Sequence, residues 1–197
     1  MNKPNCTLIK LKKKLTVILI ILSFNLAFAQ EKPEKASHIF NKAVELAQKE
    51  NKNIFIMFHA SWCGWCKKMD ASMNDPSIKD FFTDNYVIEH LVVKESEKNR
   101  NLENPGAFAM LKNHGGGDSG IPYWLIFDSY GNLMADSKMV KNDLVLNGKG
   151  SNIGCPGTED EVNSFIYKLK ETSNLNDGEL ALIAKRFRLN NPKPSTH

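Results

Sequence analysis

Two cysteines three residues apart, Cys63 and Cys66, stand inside the segment Trp62-Cys63-Gly64-Trp65-Cys66. On a helix this spacing puts both sulfurs on one face, one turn apart, close enough to close a small disulfide ring. The segment follows a continuous apolar run, Asn53 to Ala60 (NIFIMFHA), and leads into residues 63–74, which have helical character. A thiol at such a strand-to-helix junction meets unpaired backbone N–H groups and the positive end of the helix dipole. It ionises more readily than a free cysteine, and the thiolate is the reactive form. Cys63 is therefore the expected entry nucleophile and Cys66 the resolving thiol of a thiol–disulfide exchange. A purely structural disulfide fits less well, because so short a loop constrains the unfolded chain little. No metal is expected, since no second C-x-x-C or histidine pair completes a zinc site. Covalent haem attachment needs His after the second cysteine, and Lys67 stands there. The expected cofactor is none beyond the redox-active Cys63–Cys66 disulfide itself.

The elements that must position these thiols can be read from hydrophobic periodicity. Ile39, Phe40, Ala43, Val44 and Ala47 mark an amphipathic helix over 35–50. The run 53–60 suits a strand buried on both faces, as does Tyr86 to Val93. Asp75-Pro76 predicts an N-cap and first-turn proline for a short helix through Phe82, and Asn104-Pro105 another through Leu111. After the glycine-rich connection His114 to Gly120, Ile121 to Asp128 reads as a third strand. Ser129-Tyr130-Gly131-Asn132 turns into a fourth strand over 133–140, and 141–156 reads as a long loop. Thr158-Glu159-Asp160-Glu161 is a capping box for a helix carrying Val162, Phe165, Ile166 and Leu169. A last helix carries Leu180, Ile183, Ala184 and Phe187. The fold class is α/β, with a central mixed sheet of about four to five strands flanked by helices. Gly115-Gly116-Gly117 lacks the G-K-[ST] ending of a phosphate loop.

The chain has 197 residues, four cysteines and a net charge of +4. Residues 1–29 alter that balance. Lys3, Lys10, Lys12, Lys13 and Lys14 come first, then an apolar stretch from Leu15 to Phe28, then Ala27-Phe28-Ala29. This is the order of a secretory signal peptide. The apolar stretch is about 14 residues, roughly 21 Å as a helix, short of the ~30 Å a membrane span needs. Cleavage after Ala29 leaves 168 residues, removes five of the 26 basic and none of the 22 acidic ones, and brings the net charge to −1. Nucleic acid is thereby excluded as an expected partner, and no stable membrane span is expected after cleavage. Cys6 leaves too, so the mature chain keeps Cys63, Cys66 and Cys155, an odd number unlike a set of structural staples. The expected organisation is a signal peptide over 1–29, one domain over 30–189 and a flexible tail over 190–197.

The segment IFIMFHASWCGWCKKM, residues 54–69, resembles the strand, active-site motif and helix of the thioredoxin superfamily. Ile121-Pro122 before an apolar strand is similar to that family's cis-proline segment, and the hairpin at 127–132 and the capped helix from Thr158 continue the likeness over about 35–172. The resemblance implies a thioredoxin-like fold and thiol–disulfide exchange with protein thiols and disulfides. It implies that Trp62 and Trp65 form an apolar docking edge beside the reactive sulfur. Pro122, if cis, leaves the carbonyl and N–H of Ile121 open to an extended substrate backbone.

The chain departs from thioredoxin in places that bear on mechanism. Gly64-Trp65 replaces Gly-Pro between the cysteines, so the reduction potential does not carry over. Many thioredoxins place a buried aspartate six residues before the first cysteine, where this chain has Met57. Glu89, in the second apolar strand, is a candidate proton acceptor for Cys66, and His59 and Lys67 are candidate modulators of the thiols. Cys155, in Ile153-Gly154-Cys155-Pro156, matches the loop that borders the substrate groove and is a candidate third redox thiol. The leading expectation is an exported oxidoreductase, more a reductase than an oxidase, reset by a membrane thiol–disulfide shuttle or another redox partner. It would be periplasmic in a double-membrane bacterium and otherwise secreted. The rival class is a non-catalytic adaptor that binds a partner protein through the tryptophan-rich edge. An intact C-x-x-C disfavours it, because a scaffold needs neither thiol.

Overall fold

The computed structural model describes residues 32–139 and 150–191. The expected signal peptide over 1–29, residues 141–149 of the expected loop and residues 192–197 of the expected tail therefore lie outside the described residues. The described residues from Pro33 onward form one compact unit.

Helix α1 (Ala36–Glu50) buries Ala36, Ala43 and Ala47 and ends where Asn51 turns left-handed at φ 55°. Strand β1 (Asn53–His59) follows, then α2 (Gly64–Met73), α3 (Lys79–Asn85) and β2 (Tyr86–Val92). A 3-10 turn (Glu97–Leu102) and α4 (Ala107–Asn113) lead to β3 (Tyr123–Phe127) and β4 (Leu133–Asp136). Helices α5 (Glu159–Thr172) and α6 (Asp177–Arg188) close the domain. The sheet order is β2-β1-β3-β4, with β2 parallel to β1 and the other two pairings antiparallel. The result is a four-stranded mixed sheet flanked by helices, as the sequence predicts.

Side chains alternate across the sheet, so it serves two cores. Ile54, Ile56, Phe58, Leu125 and Phe127 pack with α1 and α4, while Phe55, Met57, Trp124 and Ile126 pack with α2, α5 and α6. On the second face, aromatic rings run from Phe55 to Trp124 (5.6 Å between centroids), Phe165 (5.3 Å) and Phe187 (5.0 Å). Trp124 also donates Nε1–H to the Gly154 carbonyl at 3.0 Å, pinning the loop before α5 to the sheet. The Thr158/Glu161 capping box opens α5 as its sequence signature indicates.

Two elements have bounds other than those expected, and a third carries no sequence signal. The helix expected from Asp75 starts at Lys79, because Asp75 Oδ1 accepts from Ser77 N and Oγ and closes a turn first. Those bonds and the bond from Arg186 Nε hold the Asp75 carboxyl down at about 2. Strand β4 stops at Asp136, whose side chain accepts from Lys138 N, although Lys138 still bridges to Asn152. The 3-10 turn at 97–102 buries no residue and has no apolar period to announce it. Of the expected tail over 190–197, residues 190 and 191 are described. Asn190 is buried, with Nδ2 donating to Ser72 Oγ at 3.0 Å and to the Pro156 carbonyl at 3.2 Å.

Candidate active site

Strand β1 runs through the core and ends at His59, and a two-residue turn hands the chain to α2 at Cys63. Cys63 is the N-cap residue, and its Sγ accepts the backbone N–H of Cys66 at 3.1 Å. The two cysteines are joined by a disulfide with Cα atoms 5.3 Å apart. Both are nearly buried. In the reduced form the same N–H and the helix dipole stabilise a thiolate on Cys63.

The turn is held from the side by residues just past β2. Glu95, buried, accepts from both Ser61 N and Ser61 Oγ, the latter at 2.8 Å. Lys94, at φ 55°, offers its carbonyl to Trp62 Nε1 at 2.9 Å. Its ammonium donates to the carbonyls of Gly117 and Ser119, at 2.9 and 2.6 Å. Burial lowers the Lys94 pKa. One residue thus ties the tryptophan before the motif to the loop that delivers Ile121.

The peptide bond between Ile121 and Pro122 is cis. The Ile121 carbonyl oxygen lies 3.5 Å from Cys63 Sγ, a packing contact, since a disulfide sulfur has no proton to donate. Asn152 supports this loop from the other side, donating Nδ2–H to the carbonyls of Gly120 (2.9 Å) and Pro122 (3.0 Å). Beside it runs a groove of about 300 Å³ lined by Trp65, Ile121, Pro122, Cys155, Thr158 and Glu161. Trp62 and Trp65 are 59% and 46% exposed, far more than tryptophans of a packed core, and Lys68 Nζ sits 4.7 Å above the Trp65 ring.

A second cavity, of about 380 Å³, opens on the other side of Cys66. Met57, His59, Lys67, Asp70 and His90 line it together with Cys66, so two of the candidate modulators, His59 and Lys67, share a cavity with that cysteine. Glu89 does not. It pairs in register with Ile56, on the α1 side of the sheet, while Met57 pairs with His90 on the α2 side. Burial raises the Glu89 pKa, its charged neighbours are His90, Glu34 and Lys42, and it does not line the cavity behind Cys66. Cys155 lies in the groove wall, but burial pushes its thiol up to about 12. Its sulfur accepts from Asn190 Nδ2 at 3.4 Å. A thiol so reluctant to ionise is a poor nucleophile, which counts against a third redox role. Among the described residues no group of His, Cys, Asp and Glu side chains is arranged to hold a metal.

Glu95, Lys94 and Asn152 went unread in the sequence, because charged or amide residues after a strand or inside a loop look solvated. Their importance is measurable. Glu95→Ala is expected to cost about 2 kcal/mol in urea unfolding, the loss of two hydrogen bonds to a buried carboxylate, and Glu95→Gln about half of that.

Residues 36–129 match the thioredoxin-like family model, a span that contains the C-x-x-C turn, the cis-proline and three of the four strands. No curated protein matches the chain. Among solved structures it is similar to a disulphide isomerase from Xylella fastidiosa Temecula1, at 19% identity and a TM-score of 0.44, covering 56% of this chain and 79% of that one. It is similar to the DsbD C-terminal domain of Neisseria meningitidis in the oxidised form, at 22% identity and a TM-score of 0.37, covering 53% and 84%. A DsbH oxidoreductase gives 18% identity and a TM-score of 0.40, covering 77% and 90%. With the family model laid over this sheet and this disulfide, residues 36–129 are thioredoxin-like in sequence and in fold.

Proposed function

We propose that the chain is an exported reductase of protein disulfides, in which a signal peptide over 1–29 is removed and residues 30–189 do the work. The observation that carries the reading is the seat of Cys63. Its sulfur lies at the N-terminus of α2, takes the Cys66 N–H, and abuts the Ile121 carbonyl between two exposed tryptophans. The Cys63 thiolate attacks one sulfur of a substrate disulfide, forming a mixed disulfide as the substrate S–S bond breaks and the leaving sulfur takes up a proton. The Cys66 thiolate then attacks Cys63 Sγ, closing the Cys63–Cys66 bond and releasing the second substrate thiol. The two cysteines lose two electrons and the substrate gains them. Trp62 and Trp65 supply apolar contact, and Ile121 with Pro122 presents backbone to an extended substrate segment lying in the groove. A membrane thiol–disulfide shuttle, or another dithiol protein, returns the pair to its reduced form.

Insulin reduction driven by dithiothreitol tests the reading. The chain is expected to accelerate precipitation of the insulin B chain over dithiothreitol alone, and no acceleration would sink it in favour of an adaptor. The equilibrium potential of the Cys63–Cys66 pair gives the direction: near about −270 mV it is a reductant, near about −120 mV an oxidant. Cell fractionation of the tagged full chain, with the mass of the N-terminus, tests export and cleavage together.

A further inference from the structure

Resolution of the mixed disulfide requires Cys66 to lose a proton, and Cys66 is only 2% exposed. The group that takes the proton must therefore face the cavity behind it. Four ionisable side chains do so: His59 at the end of β1, His90 on β2, and Lys67 and Asp70 on α2. Lys67 is a cation with no acceptor atom. His90 and Asp70 engage each other, with Nε2 3.3 Å from Oδ1. His59 meets His90 edge to face, with ring centroids 5.4 Å apart, and a neutral imidazole always keeps one acceptor nitrogen. Met57 and Ala60 add no ionisable group to the wall. At about 380 Å³ the cavity has room for water to carry a proton between the two residues.

We propose that His59 is the proton acceptor for Cys66 in the resolving step, with the Asp70 and Glu95 carboxylates favouring the imidazolium it becomes. This rests on the exchange reaction proposed above. The Cys66 thiol gives its proton to the His59 ring, and its sulfur attacks Cys63 Sγ. The Cys63–Cys66 bond forms as the Cys63–substrate bond breaks, and the electron pair leaves on the substrate sulfur. That sulfur is then protonated from the His59 imidazolium, which restores the neutral ring. Burial and then His90 lower the His59 pKa, while Asp70 and Glu95 oppose them. The ring is consequently neutral, and able to accept, at physiological pH.

The test mixes the reduced full-length chain with 5,5′-dithiobis(2-nitrobenzoate) in a stopped-flow instrument across about pH 5 to 10. Thionitrobenzoate leaves twice, first as Cys63 is modified and then as Cys66 displaces it. In wild type the second release is expected to rise with pH through the His59 titration, below about 6.5, and then level off. His59→Gln is expected to leave the first release unchanged and to slow the second ten- to a hundredfold at pH 7. The two chains should converge as the pH passes the ordinary thiol range of about 8.5. Added imidazole should restore the second release of His59→Ala near neutral pH. A second release slowed equally at every pH, or not slowed at all, overturns the proposal. Should His59→Gln fail to fold, a wild-type profile whose only inflection lies at about 8.5 or above overturns it as well. A wild-type chain that gives a first release and no second fails on the exchange reaction itself, and the acceptor falls with it.

Discussion

Cys63→Ser is expected to lower insulin-reducing turnover by about 10³-fold or more, and Cys66→Ser to stop after one covalent event. The asymmetry follows from position, because exposure does not choose between the two sulfurs: Cys63 is 3% and Cys66 2% exposed. Cys63 alone caps α2 and receives a backbone N–H, the arrangement that favours a thiolate. It alone borders the Ile121 carbonyl. Cys66 instead lines the cavity with His59 and His90. A serine hydroxyl at 63 is not ionised near neutral pH, so the entry step is lost and the other thiol cannot reach a substrate. A serine at 66 leaves the entry step intact and removes the resolving sulfur, so a mixed disulfide accumulates on Cys63. Non-reducing gels and intact mass report both outcomes directly. If Cys63→Ser retained the substrate and Cys66→Ser did not, the two roles would be reversed.

What was legible in the chain was local, and what was not came from distant packing. Cys63 and Cys66 announce themselves because a buried strand and a helix start adjoin them in sequence, and the order strand, motif, Ile121-Pro122 carries the family resemblance. Thr158 and Glu161 satisfy each other within one turn, so their capping box reads at sight. Glu89 shows the limit. Both Glu89 and His90 sit in the same apolar run, and only the register of β2 against β1 shows that His90, with Met57, shares a face with Cys66. A shift of one residue in a strand reverses the face. Glu95 and Lys94 depend on contacts with Ser61 and Trp62, more than thirty positions away in the chain, which no local pattern encodes. Asn190 behaves likewise, a polar residue near the C-terminus that fills the space between Ser72 and Pro156.

Asp136→Ala is expected to destabilise the domain by about 3 to 5 kcal/mol, the largest stability effect of any single charge removal on the described surface or core. Asp136 and Lys168 are both buried, with Nζ 3.1 Å from Oδ1, and the ammonium also lies 6.0 Å from the Trp124 ring centroid. Removing the carboxylate takes away the charge 3.1 Å from a buried ammonium. Lys168→Met in the same background should recover most of the loss, since an apolar side chain of similar length replaces an expensive charge. Urea unfolding of the four chains of this double-mutant cycle measures the coupling, and additive effects would show the pair to be inert. The pH dependence has a definite sign. Burial lowers the Lys168 pKa against Asp136, so the unfolded chain binds that proton more tightly than the folded one. Stability from this group therefore rises with pH between its lowered pKa and the ordinary value of 10.5, and more steeply in Asp136→Ala. The consequence extends to the site. Asp136 closes β4 immediately before Ser137, whose hydroxyl donates to Asn152 Oδ1, and Asn152 holds the Gly120 and Pro122 carbonyls. A chain that loses Asp136 should thus also lose substrate affinity, with a raised KM for insulin and a nearly unchanged Cys63–Cys66 potential, because the thiols themselves are held by α2 and Glu95.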